Sequence, residues 1–288
     1  MRYHDHNMTI KIVTDSTCDL PEDIIAAYGI SVVPLYINFN HEGYLDGVEL
    51  SREEFYIRLP DANPLPTTAT PSPLKFTHVY EHLAAEGATE ILSIHVSTSL
   101  SATVDQARLG AQETTAVPVT VLDSGQLSLG MGLMVLTAAR AAAAGLSKDV
   151  IVSRVKDQGA RTHVFAALDT LEFLRRSGRM NWAVAGLGDL LQIKPLLKMH
   201  RGTPDSEKVR TRECAIKRLI ELAEGVGPLE GLALVHTHAP AEAEALRQRS
   251  AHLFPAGMAS LSAEVTPVIG THIGPGAVGF ACVSAPKE

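Results

Sequence analysis

The chain alternates between short, strongly apolar runs and longer amphipathic ones. Residues 10–14 (IKIVT) predict a buried strand ending at Asp15, Ser16 and Thr17, with a helix starting near Pro21. A second strand is predicted over 32–39. Ser51, with Glu54 three positions on, has the capping-box spacing for a helix through Leu59. Four prolines within 60–71 predict an extended loop, after which Ser72 and Pro73 open a helix that Gly87 closes. Residues 91–96 predict a strand, followed by the hydroxyl-rich turn 97–101 and a helix toward Gln112. A strand over 119–122 ends at Asp123 and Ser124, and an Ala-rich helix then runs to Gly145. Alternating strands and helices predict parallel α/β layers.

A second unit begins around 158–163. It is expected to hold a strand at 164–167, a helix at 171–177, a tight turn at 177–179, an apolar segment at 182–191 and a strand at 193–199. Helices over 211–225 and 240–253 flank a strand at 232–236, and a strand at 278–283 closes the sheet. The expected organisation is an N-terminal Rossmann-like α/β lobe over residues 8–160 and a C-terminal α/β lobe over 161–288.

Composition narrows the partners. With 25 Lys+Arg against 32 Asp+Glu the net charge is −7, and no stretch gathers the basic residues into the face that nucleic acid requires. Aromatics are only 5% of the chain, so the core must be aliphatic. Cys18, Cys214 and Cys282 are too widely spaced for a disulfide framework or a metal knuckle, and a reducing cytoplasm is the expected compartment. The polar start, with His4, Asp5 and His6, lacks the apolar stretch of a signal peptide, and Met8 is a candidate start. Residues 124–139 are too short for a membrane span, and prolines and glycines interrupt 265–286, so no integral membrane segment is expected.

Gly274, Gly276 and Gly279 have the GxGxxG spacing of a dinucleotide loop, but the chain ends too soon after them for the helix and acidic residue that motif needs. They read as a turn before a last strand. His236 and His238 lie two apart without an HExxH pattern, so neither a metal nor another cofactor is expected. More informative are four hydroxyl-rich loops: 15–17, 67–68, 97–101 and 123–124, each after a strand or before a helix. A Ser or Thr capping its own helix accounts for any one of them. Together they point to a small anionic ligand, because helix N-termini offer unpaired N–H groups and the positive end of the dipole.

These residues resemble the DegV family. The resemblance rests on 13–17 (VTDST), 66–68 (PTT), 71–73 (PSP), 100–103 (LSAT), 122–124 (LDS), 171–179 (LEFLRRSGR), 193–195 (IKP), 208–211 (KVRT) and Thr271-His272, in one order along nearly the whole chain. It implies a DegV-like fold with two α/β lobes and a lipid site between them. It further implies that the protein binds a long-chain fatty acid such as palmitate and presents it to a fatty acid kinase for acyl phosphate formation, without catalysing that step. On this resemblance Thr68 and Ser101 grip the carboxylate, His272 stands nearby, and Arg210 docks the kinase. Where the family carries Thr-Ser-Gln-Pro this chain has Thr68, Ala69, Thr70 and Pro71; where the family carries Leu-Ser-Gly-Thr-Tyr it has Leu100, Ser101, Ala102, Thr103 and Val104.

A carboxylate held by hydroxyls at helix N-termini needs no basic side chain, which suits an acidic protein. A tail of roughly 15 methylenes, at 0.8 kcal/mol each, sets an upper bound of about 12 kcal/mol before ordering costs. Aliphatic residues in 183–197 and 265–278 are candidates for its channel. The competing reading is an enzyme acting on a small acyl or phosphorylated substrate, with Ser101 as nucleophile and His272 or His95 as base. A monomer is the default expectation.

Overall fold

The computed structural model describes residues 9–39, 42–178, 193–255 and 261–286. The N-terminal residues and the apolar segment anticipated at 182–191 lie outside them. β1 (Ile10–Asp15) is the first apolar run, and only Lys11 along it is not fully buried. A single 3-10 turn follows at Ser16–Cys18, and α1 (Glu22–Tyr28) starts directly after Pro21.

The strand predicted over 32–39 is two strands, β2 (Ser31–Val33) and β3 (Tyr36–Phe39). The break comes at Pro34, which has no N–H to give a ladder, so the chain leaves one sheet and enters another. β3 pairs with β4 (Glu42–Leu45). α2 (Arg52–Arg58) is capped by Ser51, whose hydroxyl accepts the Glu54 N–H at 3.2 Å. The proline-rich stretch 60–71 is not all loop: β5 (Thr67–Ala69), lying between Pro66 and Pro71, pairs antiparallel with β3. It is an edge strand, where flanking prolines cost no ladder bonds.

α3 (Pro73–Ala85) begins with its proline in the first turn and leads to β6 (Glu90–His95), α4 (Thr103–Glu113) and β7 (Val119–Asp123). β1, β2, β6 and β7 make a parallel sheet in the order β2-β1-β6-β7, the layer that the sequence predicts. The chain moves outward from β1 to β2 on one side and from β6 to β7 on the other. The switch point of this sheet therefore lies between the carboxyl ends of β1 and β6.

α5 (Ser128–Ala143) and α6 (Lys148–Arg161) lead to the second sheet, α6 having no counterpart in the predicted elements. Then follow β8 (Thr162–Ala167), α7 (Glu172–Arg176), β9 (Lys194–His200), β10 (Thr203–Val209), α8 (Arg212–Gly225), β11 (Leu229–His236), α9 (Pro240–Arg249), β12 (Leu261–Glu264), α10 (Pro267–Ile273) and β13 (Val278–Ser284). Their order is β10-β9-β8-β13-β11-β12, and among the described residues only β11 with β12 is parallel. The expectation of parallel layers fails here for two reasons. β9 and β10 form a hairpin turning through Arg201 and Gly202, both at positive φ, and the last strand returns antiparallel between β8 and β11. Pro267 opens α10 rather than breaking the segment, and Gly274 and Gly276 are the turn before β13.

α5 joins the two sheets. It is apolar nearly all round, as a helix buried on every side must be. A Cβ on Gly130 would strike the Val164 methyl of β8, and one on Gly132 would strike the Cys18 carbonyl after β1. Two glycines two positions apart thus let one helix approach both layers closely.

Candidate functional site

Beyond the carboxyl ends of β1 and β6 lies a cavity with about 1000 Å3 of empty space, part of it open to solvent. Four parts of the fold supply most of its lining, with Leu127, Leu174 and Pro204 beside them. The parallel sheet supplies Thr17, Val96, Leu100 and Ser101 from its strand-end loops; the β3–β5 region supplies Leu35, Thr68, Ala69 and Thr70. α10 supplies Val268, Ile269, His272 and Ile273. The antiparallel strands β8 and β9 supply Val164, Ala166, Leu197 and Met199, each pair spaced by two so that both members face one side of the sheet. The walls are predominantly aliphatic, with polar residues Thr17, Thr68, Thr70, Ser101, His272 and Lys198, the last paired through its ammonium with Asp205 and Glu207.

Thr68 Oγ1 and His272 Nε2 are 3.1 Å apart, although 204 positions separate them in sequence. Ser101 Oγ accepts the Thr103 N–H at 3.3 Å and lies 2.8 Å from Thr103 Oγ1, so it closes the turn that leads into α4, and Ser101 lines the cavity as well. Thr68, Ser101 and His272 are all half-buried and line the same space. Arg210 stands elsewhere, exposed in the bend between β10 and α8.

Of the four hydroxyl-rich loops, three reach this cavity. Asp123 and Ser124 do not: they line a separate depression with Lys156 and Arg201. The Asp123 carboxylate accepts the Thr98 hydroxyl at 2.5 Å and the Gly125 N–H at 2.8 Å, and Ser124 Oγ accepts the Gln126 N–H at 3.1 Å. That loop serves its own turn and tethers the 97–101 loop through Thr98. Within the anticipated channel stretches, Leu197, Val268, Ile269 and Ile273 line the cavity, while 183–192 lie outside the described residues. Sequence reasoning missed Leu35, Val164, Ala166, Leu174 and Met199; the alternation in β8 and β9 marks two faces, but not which face meets a cavity.

Two buried polar clusters support the site. Asp15 accepts Thr17 N–H at 3.0 Å, Thr17 Oγ1–H at 2.5 Å and Val96 N–H at 3.0 Å, and its Oδ2 lies 3.0 Å from His95 Nδ1. His95 Nε2 in turn meets Ser93 Oγ at 2.7 Å, and Ser93 meets Tyr80 OH at 2.9 Å. The second cluster anchors α10. Thr266 donates its N–H to Asp19 Oδ1 at 2.8 Å and its hydroxyl to Asp46 Oδ2, and Ser128 donates to Asp19 at 2.5 Å. Arg52 pairs with Asp19 at 3.5 Å. Burial outweighs these partners and pushes the carboxyls of both Asp19 and Asp46 up to about 6.

Among the described residues, the hydroxyls and histidines of the enzyme reading engage other partners. Ser101 engages Thr103, His95 is committed to Asp15 and Ser93, and His272 Nε2 engages Thr68. An aliphatic cavity with a few hydroxyls at the switch point of an α/β sheet defines a protein built to enclose a ligand with an apolar body and a polar end. The chain belongs to the DegV family: the family model, described as an uncharacterised protein of the DegV family, matches residues 9–285. Its relatives include a DegV domain-containing protein of Deinococcus radiodurans, 40% identical over 95% of this chain and 98% of that one. Another, from Streptomyces coelicolor, is 39% identical over 94% and 96% of the two chains. Among solved structures, a fatty-acid-binding DegV family protein from Thermus thermophilus superposes with a TM-score of 0.87 at 35% identity, covering 96% of this chain and all (100%) of that one. DegV of Bacillus subtilis, a fatty acid binding protein, gives 0.86 at 30% identity, with coverages of 96% and 100%.

Proposed function

We propose that this protein binds one long-chain fatty acid in the cavity and presents it to a fatty acid kinase, which forms the acyl phosphate. The observation that carries this reading is the composition of the cavity, with aliphatic walls from several parts of the fold and hydroxyls from Thr17, Thr68 and Ser101. Fatty acid binding by relatives of the same fold supports it. Thr68 and Ser101 hold the carboxyl group, with His272 fixing the Thr68 hydroxyl from α10. The tail runs among Leu35, Val164, Leu197, Met199 and Ile269, between the N-terminal lobe (8–160) and the C-terminal lobe (161–288). Burial of its methylenes supplies affinity, and the hydroxyls supply orientation. The chain acts as carrier, and Arg210 docks the kinase.

Denaturing extraction of the purified protein, followed by lipid mass spectrometry, should return a fatty acid in near-stoichiometric amount. Replacing both head-group hydroxyls, Thr68→Val with Ser101→Ala, should weaken fatty acid binding at least about tenfold, since two hydrogen bonds to the carboxyl group are lost. Unchanged affinity would remove Thr68 and Ser101 from the head-group site. Esterase turnover by lipid-free protein would favour the loop-serine enzyme instead.

A further inference from the structure

Thr17 is almost completely buried, 2% exposed, yet it lines the cavity. Its hydroxyl is not free to choose a direction. Each Asp15 oxygen already accepts a backbone N–H, Thr17 N on Oδ1 and Val96 N on Oδ2, so the Asp15 carboxyl faces its neighbours as an acceptor. Thr17 Oγ1, at 2.5 Å from Oδ1, must therefore donate its single proton to Asp15. What remains for the cavity is lone pairs. Ser101 differs: it accepts the Thr103 N–H, and in its 2.8 Å contact with Thr103 Oγ1 either hydroxyl can donate, so its proton is not fixed in one direction.

We propose that Thr17 is a specificity-determining residue of the head-group end: its hydroxyl, held as a donor by Asp15, accepts a hydrogen bond from the ligand and so favours head groups that carry a proton. Asp15 is the positioning residue that acts through it. The same carboxyl ties β1 to the loop after β6, since Val96 also lines the cavity and the Ser101 loop follows from it. On this arrangement a carboxylic acid or a primary amide satisfies Thr17, whereas an ester, having no proton to give, leaves a buried acceptor unmatched.

The inference rests on reading the cavity as a fatty acid site, and the test separates the two. Delipidated full-length protein is titrated with hexadecanoic acid, hexadecanamide and methyl hexadecanoate in competition with a fluorescent fatty acid. The amide and ester are uncharged, so their ratio reports the hydrogen bond without a charge difference. Wild type should favour the amide by about tenfold, the value of one buried hydrogen bond. Thr17→Val and Thr17→Ala should each bring the ratio to within about twofold of unity, and Thr17→Ser should keep it. A loss of packing alone would weaken both ligands together and leave the ratio as it was. An undiminished ratio in either hydroxyl-free variant, or no preference in wild type, overturns the role of Thr17. Failure of hexadecanoic acid to displace the probe overturns the fatty acid reading itself.

Discussion

At the scale of single residues the site is a matter of which polar atoms are already spoken for. Thr68, Ser101 and Thr17 are chemically alike in sequence, and all three line the cavity. Their partners make them different: His272 for Thr68, Thr103 for Ser101 and Asp15 for Thr17. Asp46 shows the opposite case, a carboxyl held where ionisation is costly, with its Oδ1 lacking a hydrogen-bond partner among the described residues. Because burial raises its pKa from 3.8 to about 6, the folded chain binds a proton there that the unfolded chain has already lost. The stability this proton contributes is present below pH 3.8 and disappears as the pH rises through about 6. Asp46→Asn, which keeps an acceptor for Thr266 without the charge, should raise the stability at pH 7 and flatten its decline between about pH 4 and 6. Chemical denaturation at several pH values measures this, and an unchanged slope would show that Asp46 does not titrate in that window.

At the scale of elements, the periodic signals located most strands and helices, and the departures have local causes. Pro34 divides one apolar run between two sheets, and Pro66 and Pro71 frame an edge strand inside a loop. Pro267, which looks like a breaker, starts the helix that carries His272. α5 carries the sharpest element-level prediction. On propensity alone, glycine to alanine in a helix gains roughly 1 kcal/mol. Here the new methyl of Gly132→Ala would meet a backbone carbonyl that cannot rotate away, and overpacking of this kind costs about 1–3 kcal/mol. Gly130→Ala meets mainly a valine methyl, which can adjust. Urea midpoints should fall for both variants and further for Gly132→Ala; a rise for Gly132→Ala would mean that α5 is not wedged between the two layers.

At the scale of the whole molecule, the proposed function gives ligand and partner different faces. A fatty acid bound as proposed would stabilise the fold by mass action, about 2.7 kcal/mol at one hundred times Kd, so delipidated protein should melt at a lower temperature than loaded protein. Arg210 lies outside the cavity, on the bend after β10. Arg210→Glu should therefore lower acyl phosphate formation with a fatty acid kinase and ATP while leaving fatty acid affinity as it was; an equal loss in both would place Arg210 in the binding site. By itself the sequence determined the α/β class, the first parallel sheet, an aliphatic core and the hydroxyl-rich loops, because periodicity and turn chemistry are local properties. Tertiary structure alone decided which of those loops converge, that β8, β9 and α10 complete the cavity, and that the second sheet is mixed. Those outcomes depend on pairings such as Thr68 with His272, made across most of the chain, and no local pattern records which strand or helix a hydroxyl will finally face.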